Sequence, residues 1–192
     1  MNDTLILDIP SSFEALEAKG KEIGFTMPSD LYIGSLLKTL VATKPAGKIL
    51  ELGTGIGLSL SWMIEGMDSQ SELITIDNDP ALVAIAESFF GNNSRVSIIE
   101  ADGGNWIENY QGSPFDLVFA DAWPGKFSHL SETLNHLKAG GLYVIDDMSP
   151  REDWPEGHAE KVSRLIQDLE SREDLQITKM NWSTGVIVGT KL

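Results

Sequence analysis

Six acidic residues of this 192-residue chain stand at or just beyond the ends of short apolar runs: Glu51, Asp77, Asp102, Asp121, Asp146 and Asp147. A carboxylate at the tip of a buried strand can accept hydrogen bonds from both hydroxyls of a ribose, and several together can hold a hard cation. In an open parallel sheet the tips of neighbouring strands face one crevice, so acids far apart in sequence converge there. The run at 48–52 passes straight into glycines at 53, 55 and 57, with a helical pattern behind them. An apolar strand that hands its backbone through bare glycines to a helix N-terminus lets a ligand approach the main chain. This predicts a nucleoside cofactor held around Glu51, Gly53, Thr54, Gly55, Gly57 and Ser59.

The spacing narrows the choice of cofactor. A dinucleotide turn carries its last glycine three positions after the second, so that the helix packs closely beneath a pyrophosphate. Here that position is Leu58. The next apolar run, 72–77, ends in Asp77 and is followed by Asn78, Asp79 and Pro80. Asp77, with Asn78 beside it, is placed to bind the ribose. Its other reading, a helix cap, suits Asp79 better, because Asp79 directly precedes a proline fit for the first helical position. Asp102 and Gly103 follow the third run. Asp102 could face the cofactor, cap the helix containing Trp106 and Ile107, or do both.

These residues need a scaffold, and the periodicity supplies one. A short polar helix is expected over 13–22, and a second after Asp30, where Ile33, Leu36, Leu37, Leu40 and Val41 recur at helical spacing. Strands are expected at 48–52, 72–77, 95–100, 115–120 and 141–146, alternating with helices at 58–67, 80–90, 126–138 and 157–170. Such alternation specifies a parallel sheet with helices on both faces, an α/β fold. The last two apolar runs, 175–180 and 185–189, are joined by a turn so short that only an antiparallel pair is possible.

The glycine turn with Glu51 two residues before it, together with Asp77, resembles motif I and the second strand end of class I S-adenosylmethionine-dependent methyltransferases. The resemblance spans about residue 27 to the C-terminus. It implies a Rossmann-like, doubly wound, mostly parallel seven-stranded sheet with a C-terminal antiparallel hairpin, and S-adenosylmethionine as cofactor. It further implies that Asp102 accepts from the adenine amine and that Met27 lies on an N-terminal segment covering the cofactor.

Asp121 after the fourth strand and Asp146 after the fifth are similar to the metal ligands of the catechol and caffeoyl-CoA branch of small-molecule O-methyltransferases. That branch holds Mg²⁺ or a similar ion with an Asp after strand four and an Asp-Asn pair after strand five. The implied ligands are Asp121, Asp146 and, where the branch usually has Asn, Asp147. Adjacent strands lie about 5 Å apart, so these carboxylates repel unless a cation, a proton or a donor compensates. The third carboxylate could strengthen ion binding or favour Ca²⁺, or Asp147 could point away from a site without metal. In that case Asp121 would hold the cofactor's ammonium or orient the substrate.

The branch places a catalytic lysine three residues after the strand-four aspartate, whereas Lys126 comes five residues after Asp121. Lys126 reaches the site if the turn at Pro124 and Gly125 folds it back, and is otherwise a solvated lysine. His158 is an alternative base on the loop over the pocket, or a structural histidine. Trp123 and Trp154 are expected to wall the acceptor pocket, with packing as the other reading.

The implied reaction is methyl transfer to a small-molecule oxygen, catechol-like or another hydroxyl, assisted by Mg²⁺ or Ca²⁺. Two rivals share the strand-end acids: a spermidine-synthase-like aminopropyl transferase and a catalytically silent cofactor-binding protein. The formal charge of −15 argues against a nucleic-acid partner, which needs a basic footprint. Absence of cysteine excludes disulfides and thiolate metal sites. The first eight residues lack the basic start and apolar core of a signal peptide, and no run approaches membrane-spanning length. A cytoplasmic protein without a membrane partner is therefore expected. No linker composition divides the chain, so a single domain over 1–192 is expected, with N-terminal helices in 1–45 and the core in 46–192. The branch also implies a possible homodimer through those helices.

Overall fold

The computed structural model describes residues 2–152 and 154–192. Met1, at the start of the segment read above for targeting, and Asp153, in the charge run Pro150 to Glu156 whose expected reading is a solvated connection, lie outside the described residues. Helices α1 (Phe13–Ile23) and α2 (Leu31–Ala42) precede the first strand. Then follow β1 (Lys48–Leu52), α3 (Leu58–Gly66), β2 (Glu72–Asp77), α4 (Pro80–Phe90), β3 (Val96–Glu100), α5 (Gly103–Asn109) and β4 (Phe115–Ala120). The chain continues through α6 (Leu130–Asn135), β5 (Leu137–Ile145), α7 (His158–Ser171), β6 (Leu175–Met180) and β7 (Val186–Lys191).

The strands form one seven-stranded sheet in the order β3-β2-β1-β4-β5-β7-β6. β1 to β5 are parallel, and β7 runs antiparallel to both β5 and β6. The alternating pattern called for the parallel part of this sheet, and the resemblance implied its Rossmann-like, seven-stranded form with the antiparallel hairpin. The order reverses between β1 and β4, and a ligand crevice forms at such a reversal, beyond the carboxyl ends of the strands.

Alternation along the strands decides which side chains serve which face. Ile49 of β1, Leu117 and Phe119 of β4 and Val144 of β5 pack with Trp62 under α1, α2 and α3. Leu50 and Leu52, Val118, Tyr143 and Ile145 pack on the other face against α5, α6 and α7. Helix starts are fixed locally: Asp30 accepts from the amides of Tyr32 and Ile33, Asp79 from those of Ala81 and Leu82, and Asp102 from that of Asn105. Each such cap is worth about 1 kcal/mol. Among the described residues, no helix is long and apolar enough to cross a membrane.

One element departs from expectation. The helix expected over 126–138 is only α6, and β5 begins at Leu137 rather than near 141. Gly125 at φ +84° and His129 at φ +54° turn the backbone left-handed, which no helix tolerates. Residues 123–128 instead form a knot of turns in which the amides of Lys126, Phe127 and Ser128 all donate to the carbonyl of Trp123.

Candidate active site

A cavity of about 1180 Å³ opens along the carboxyl ends of β1, β2, β4 and β5. Pockets for a single small ligand are typically about 300–1,000 Å³, so this one has room for two molecules side by side. Its wall runs from Asp77 and Asp102 at one end to Asp121, Lys126 and Asp146 at the other, with Trp123, Trp154 and His158 beyond.

The glycine turn forms the floor between these ends. Gly53 has φ +101°, and a Cβ there would stand 2.8 Å from the carbonyl oxygen of Asp121. Only glycine lets β1 and β4 close together at this point while leaving the main chain bare. Gly53 donates to the carbonyl of Ile76 at 2.9 Å, and the amide of Gly55 donates to Asp77 Oδ2 at 2.8 Å. Asp77 Oδ1 accepts from the amide of Asp79 at 2.9 Å. Each oxygen of Asp77 thus has one backbone donor, retains free lone pairs and borders the cavity. Asn78 and Gly103 line it too, as does Asp102, whose Oδ1 is taken by its cap to Asn105. Met27, 73% exposed, lies on the segment between α1 and α2 that passes over this end.

Glu51 does not join the other acids. It shares the face of Ile49, so its side chain passes under α3 rather than into the crevice, and it is fully buried. Its two oxygens accept from Ser59 Oγ and Thr75 Oγ1, both at 2.5 Å, and Thr75 is in turn bonded to Thr54 Oγ1. Burial pushes the Glu51 carboxyl to about 8, although both hydroxyls favour its charge. Glu51, Thr54, Gly57 and Ser59 therefore brace the turn from below, and none of them borders the cavity.

At the other end, oxygens of Asp121, Asp146 and Asp147 lie within 4.8 Å of one another. The Pro124–Gly125 turn folds Lys126 back among them. Its side chain is 5% exposed, and Nζ stands 3.4 Å from Asp146 Oδ1 and 3.9 Å from Asp121 Oδ1. The hydroxyl of the buried Tyr143 donates to the carbonyl of Gly125 at 2.6 Å and fixes this loop from the strand below. A Cβ at Gly125 would meet Leu52 Cδ1 at 2.5 Å, so the close approach depends on glycine. Burial, then the charge of Asp146, raises the proton affinity of Asp121 well above the usual carboxylate range, and Lys126 opposes this. Asp146 is raised for the same first reason, again against Lys126. Asp147, at φ +55°, lies within 3.7 Å of Arg151 Nη1.

An aromatic group closes this end. The His158 ring meets Trp154 edge-on at 4.7 Å and Phe127 at 5.3 Å, and Phe127 meets Trp123 at 5.6 Å. Trp123 is 55% exposed and carries Lys161 Nζ 4.2 Å above its ring.

The sequence pattern of the O-methyltransferase family matches residues 14–191, nearly the whole chain. The chain belongs to the O-methyltransferase family. A Mycolicibacterium vanbaalenii protein named "Putative O-methyltransferase" is 31% identical over 118 residues, covering 59% of this chain and 52% of the relative. This chain thus spans about half the length of the curated relatives it matches. Among solved structures, the O-methyltransferase TomG of Streptomyces achromogenes, in complex with SAM, superposes with a TM-score of 0.84 at 21% identity, covering 98% of this chain and 93% of TomG. A Bacillus cereus O-methyltransferase in complex with SAH gives 0.82 at 19% identity, covering 99% and 94%. At such identities these likenesses establish the fold.

Several cavity residues of this O-methyltransferase family member escaped sequence reasoning. Phe127 was hidden inside the helix expected at 126–138. Thr184 lies in the hairpin turn, and its Oγ1 accepts from the amide of Asp147 at 3.2 Å. Phe25 folds over the glycine turn, where a Cβ on Gly55 would come within 3.2 Å of its ring. An aromatic residue next to the lysine already singled out was the one available signal.

Proposed function

We propose that this chain, acting as one methyltransferase domain, transfers the methyl group of S-adenosylmethionine to an oxygen of a small acceptor with two neighbouring oxygens. The observation that carries this is one cavity joining a ribose-binding carboxylate, Asp77, to a buried cluster of Asp121, Lys126 and Asp146. The bare turn at Gly53 and Gly55 and the free lone pairs of Asp77 suit a nucleoside, with Asp102, Asn78 and Met27 around its base. Glu51, Thr54, Gly57 and Ser59 act on the cofactor indirectly, by fixing the turn.

The sulfonium is already an activated donor, so the protein must align the acceptor oxygen with the S–CH₃ bond, a positioning effect worth about 7–11 kcal/mol when geometry is good. The methyl passes to the acceptor oxygen, the sulfur keeps the bond electrons, and the hydroxyl proton must leave. A phenol of pKa near 10 is mostly protonated at neutral pH. The Lys126 ammonium beside that oxygen favours the phenolate, and in the absence of a bound ion the Asp121 carboxylate takes the proton. His158, engaged with Trp154 and Phe127, shapes the acceptor pocket, which Trp123 and Trp154 wall.

Carboxylate oxygens of Asp121, Asp146 and Asp147 within 4.8 Å of one another, opposed only by Lys126 and, at Asp147, by Arg151, suit a hard divalent cation held by these three residues. Mg²⁺ or Ca²⁺ bound there would polarise the acceptor hydroxyl and orient its neighbouring oxygen. The test is methyl transfer from labelled cofactor to catechol, with added Mg²⁺ or chelator, in wild type and Asp146→Asn. Turnover lost in the variant supports the reading. Absence of turnover with retained cofactor binding would reject the acceptor. A homodimer and a cytoplasmic setting without nucleic-acid or membrane partners complete the proposal.

A further inference from the structure

We infer that the acceptor carries an anionic arm, a carboxylate or a phosphate, which lies across Trp123 toward Lys161. This rests on the proposed transfer to a small oxygen acceptor and adds the chemistry of the rest of that molecule.

The inference starts from how the chain disposes of its cations. Fourteen basic side chains face twenty-nine acidic ones. Nearly all the basic groups are committed to an oxygen: Lys44 to the carbonyl of Gly140, Lys138 to Asp116, Lys191 to the carbonyl of Leu134, Arg172 to Asp174. Arg95 bonds the carbonyl of Asp68, and Lys48 bonds Ser113 Oγ. Among the described residues, Lys161 and Arg164 are the basic side chains with no oxygen partner. Both are on α7, three residues apart and so on one face, with His158 three residues before them. His158 lines the cavity, and Lys161 stands about one helical turn beyond it.

Lys161 is exposed and makes a cation–π contact. Its ammonium sits 4.2 Å above the ring of Trp123, which itself borders the cavity. A flat acceptor resting against Trp123 would thus have a cation at its outer end. At its inner end it would meet the carboxylates and ammonium of Asp121, Asp146 and Lys126. In a chain with a net charge of −15, an ammonium with no oxygen partner above Trp123 opposes the overall field. Its effect is to select an acceptor that the rest of the surface repels.

The test compares four acceptors that share the catechol ring: catechol itself, 3,4-dihydroxybenzoate, 3,4-dihydroxybenzylphosphonate and 3,4-dihydroxybenzylamine. Wild type should prefer the anionic pair over the amine, and Lys161→Glu should cut the benzoate-to-benzylamine ratio of kcat/KM by about tenfold, carried in KM. Raising the salt to 0.5 M should compress the wild-type ratio. Dependence on Lys161 for the phosphonate alone would identify phosphate as the anionic group, whereas dependence for both shows that a carboxylate suffices. Ratios of both anions to the amine unchanged in Lys161→Glu, or a wild-type preference for the amine, would overturn the inference while leaving methyl transfer intact. If none of the four is methylated, calorimetry of the benzoate and the benzylamine on the SAH-bound protein reads the same charge preference. In that outcome the acceptor reading fails separately.

Discussion

Replacing Glu51 by Gln tests whether a carboxyl braced beneath the glycine turn is neutral in the folded protein. Glu51 is fully buried, accepts only from Ser59 and Thr75, and holds its proton up to about pH 8 against an ordinary value of 4.5. Between those two values the folded state binds a proton that the unfolded state has lost, so stability falls as pH rises. At about 1.36 kcal/mol per tenfold change in proton affinity, full ionisation costs about 5 kcal/mol, of which about 2.5 kcal/mol is lost between pH 6 and 8.5. Glutamine keeps the shape and hydrogen-bonding capacity of the protonated carboxyl and cannot ionise. Urea unfolding at pH 6, 7, 8 and 8.5 should therefore show wild type losing about 2.5 kcal/mol more than Glu51→Gln across that window. The raised carboxyls of Asp121 and Asp146 act alike in both proteins and cancel in the difference. Parallel pH profiles would refute the reasoning and show Glu51 to be ionised beneath the turn.

Lys126→Met removes the ammonium set between Asp121 and Asp146, and methyl transfer should fall by about 100-fold or more while SAH binding persists. A smaller loss would move the chemistry away from this lysine. Gly125→Ala forces a side chain into φ +84° and against Leu52, so urea unfolding should register a loss of about 1–3 kcal/mol. Wild-type stability in that variant would mean that the loop carrying Lys126 is free to move.

The fold was legible because its signals are local and repeated. Apolar runs ending in acids gave the strands, Asp30 and Asp79 with Pro80 gave helix starts, and the short connection after Met180 allowed only a hairpin. The stretch from 123 to 138 was misread for a physical reason: Leu130, Leu134 and Leu137 recur at helical spacing, but left-handed Gly125 and His129 break the helix, and β5 takes Leu137. That same break brings Lys126 into the site despite its displaced position in sequence. The position of Glu51 was also hidden. Strand alternation sends it to the face of Ile49, whereas Asp77 and Asp121 lie where the strands give way to loops and can face the crevice. The cluster of Trp154, His158 and Phe127 depends on contacts between segments some thirty residues apart, which spacing alone does not encode.

The most direct test of the account is calorimetric titration of SAH into wild type, Asp77→Ala and Asp77→Asn. Two charge-assisted hydrogen bonds to ribose hydroxyls are worth about 1.5–3 kcal/mol each, so alanine should weaken SAH by at least about 100-fold. Asparagine, which keeps one acceptor oxygen, should fall between. Failure of wild type to bind SAH, or equal affinity in all three proteins, would contradict the assignment of this cavity to the methyl donor.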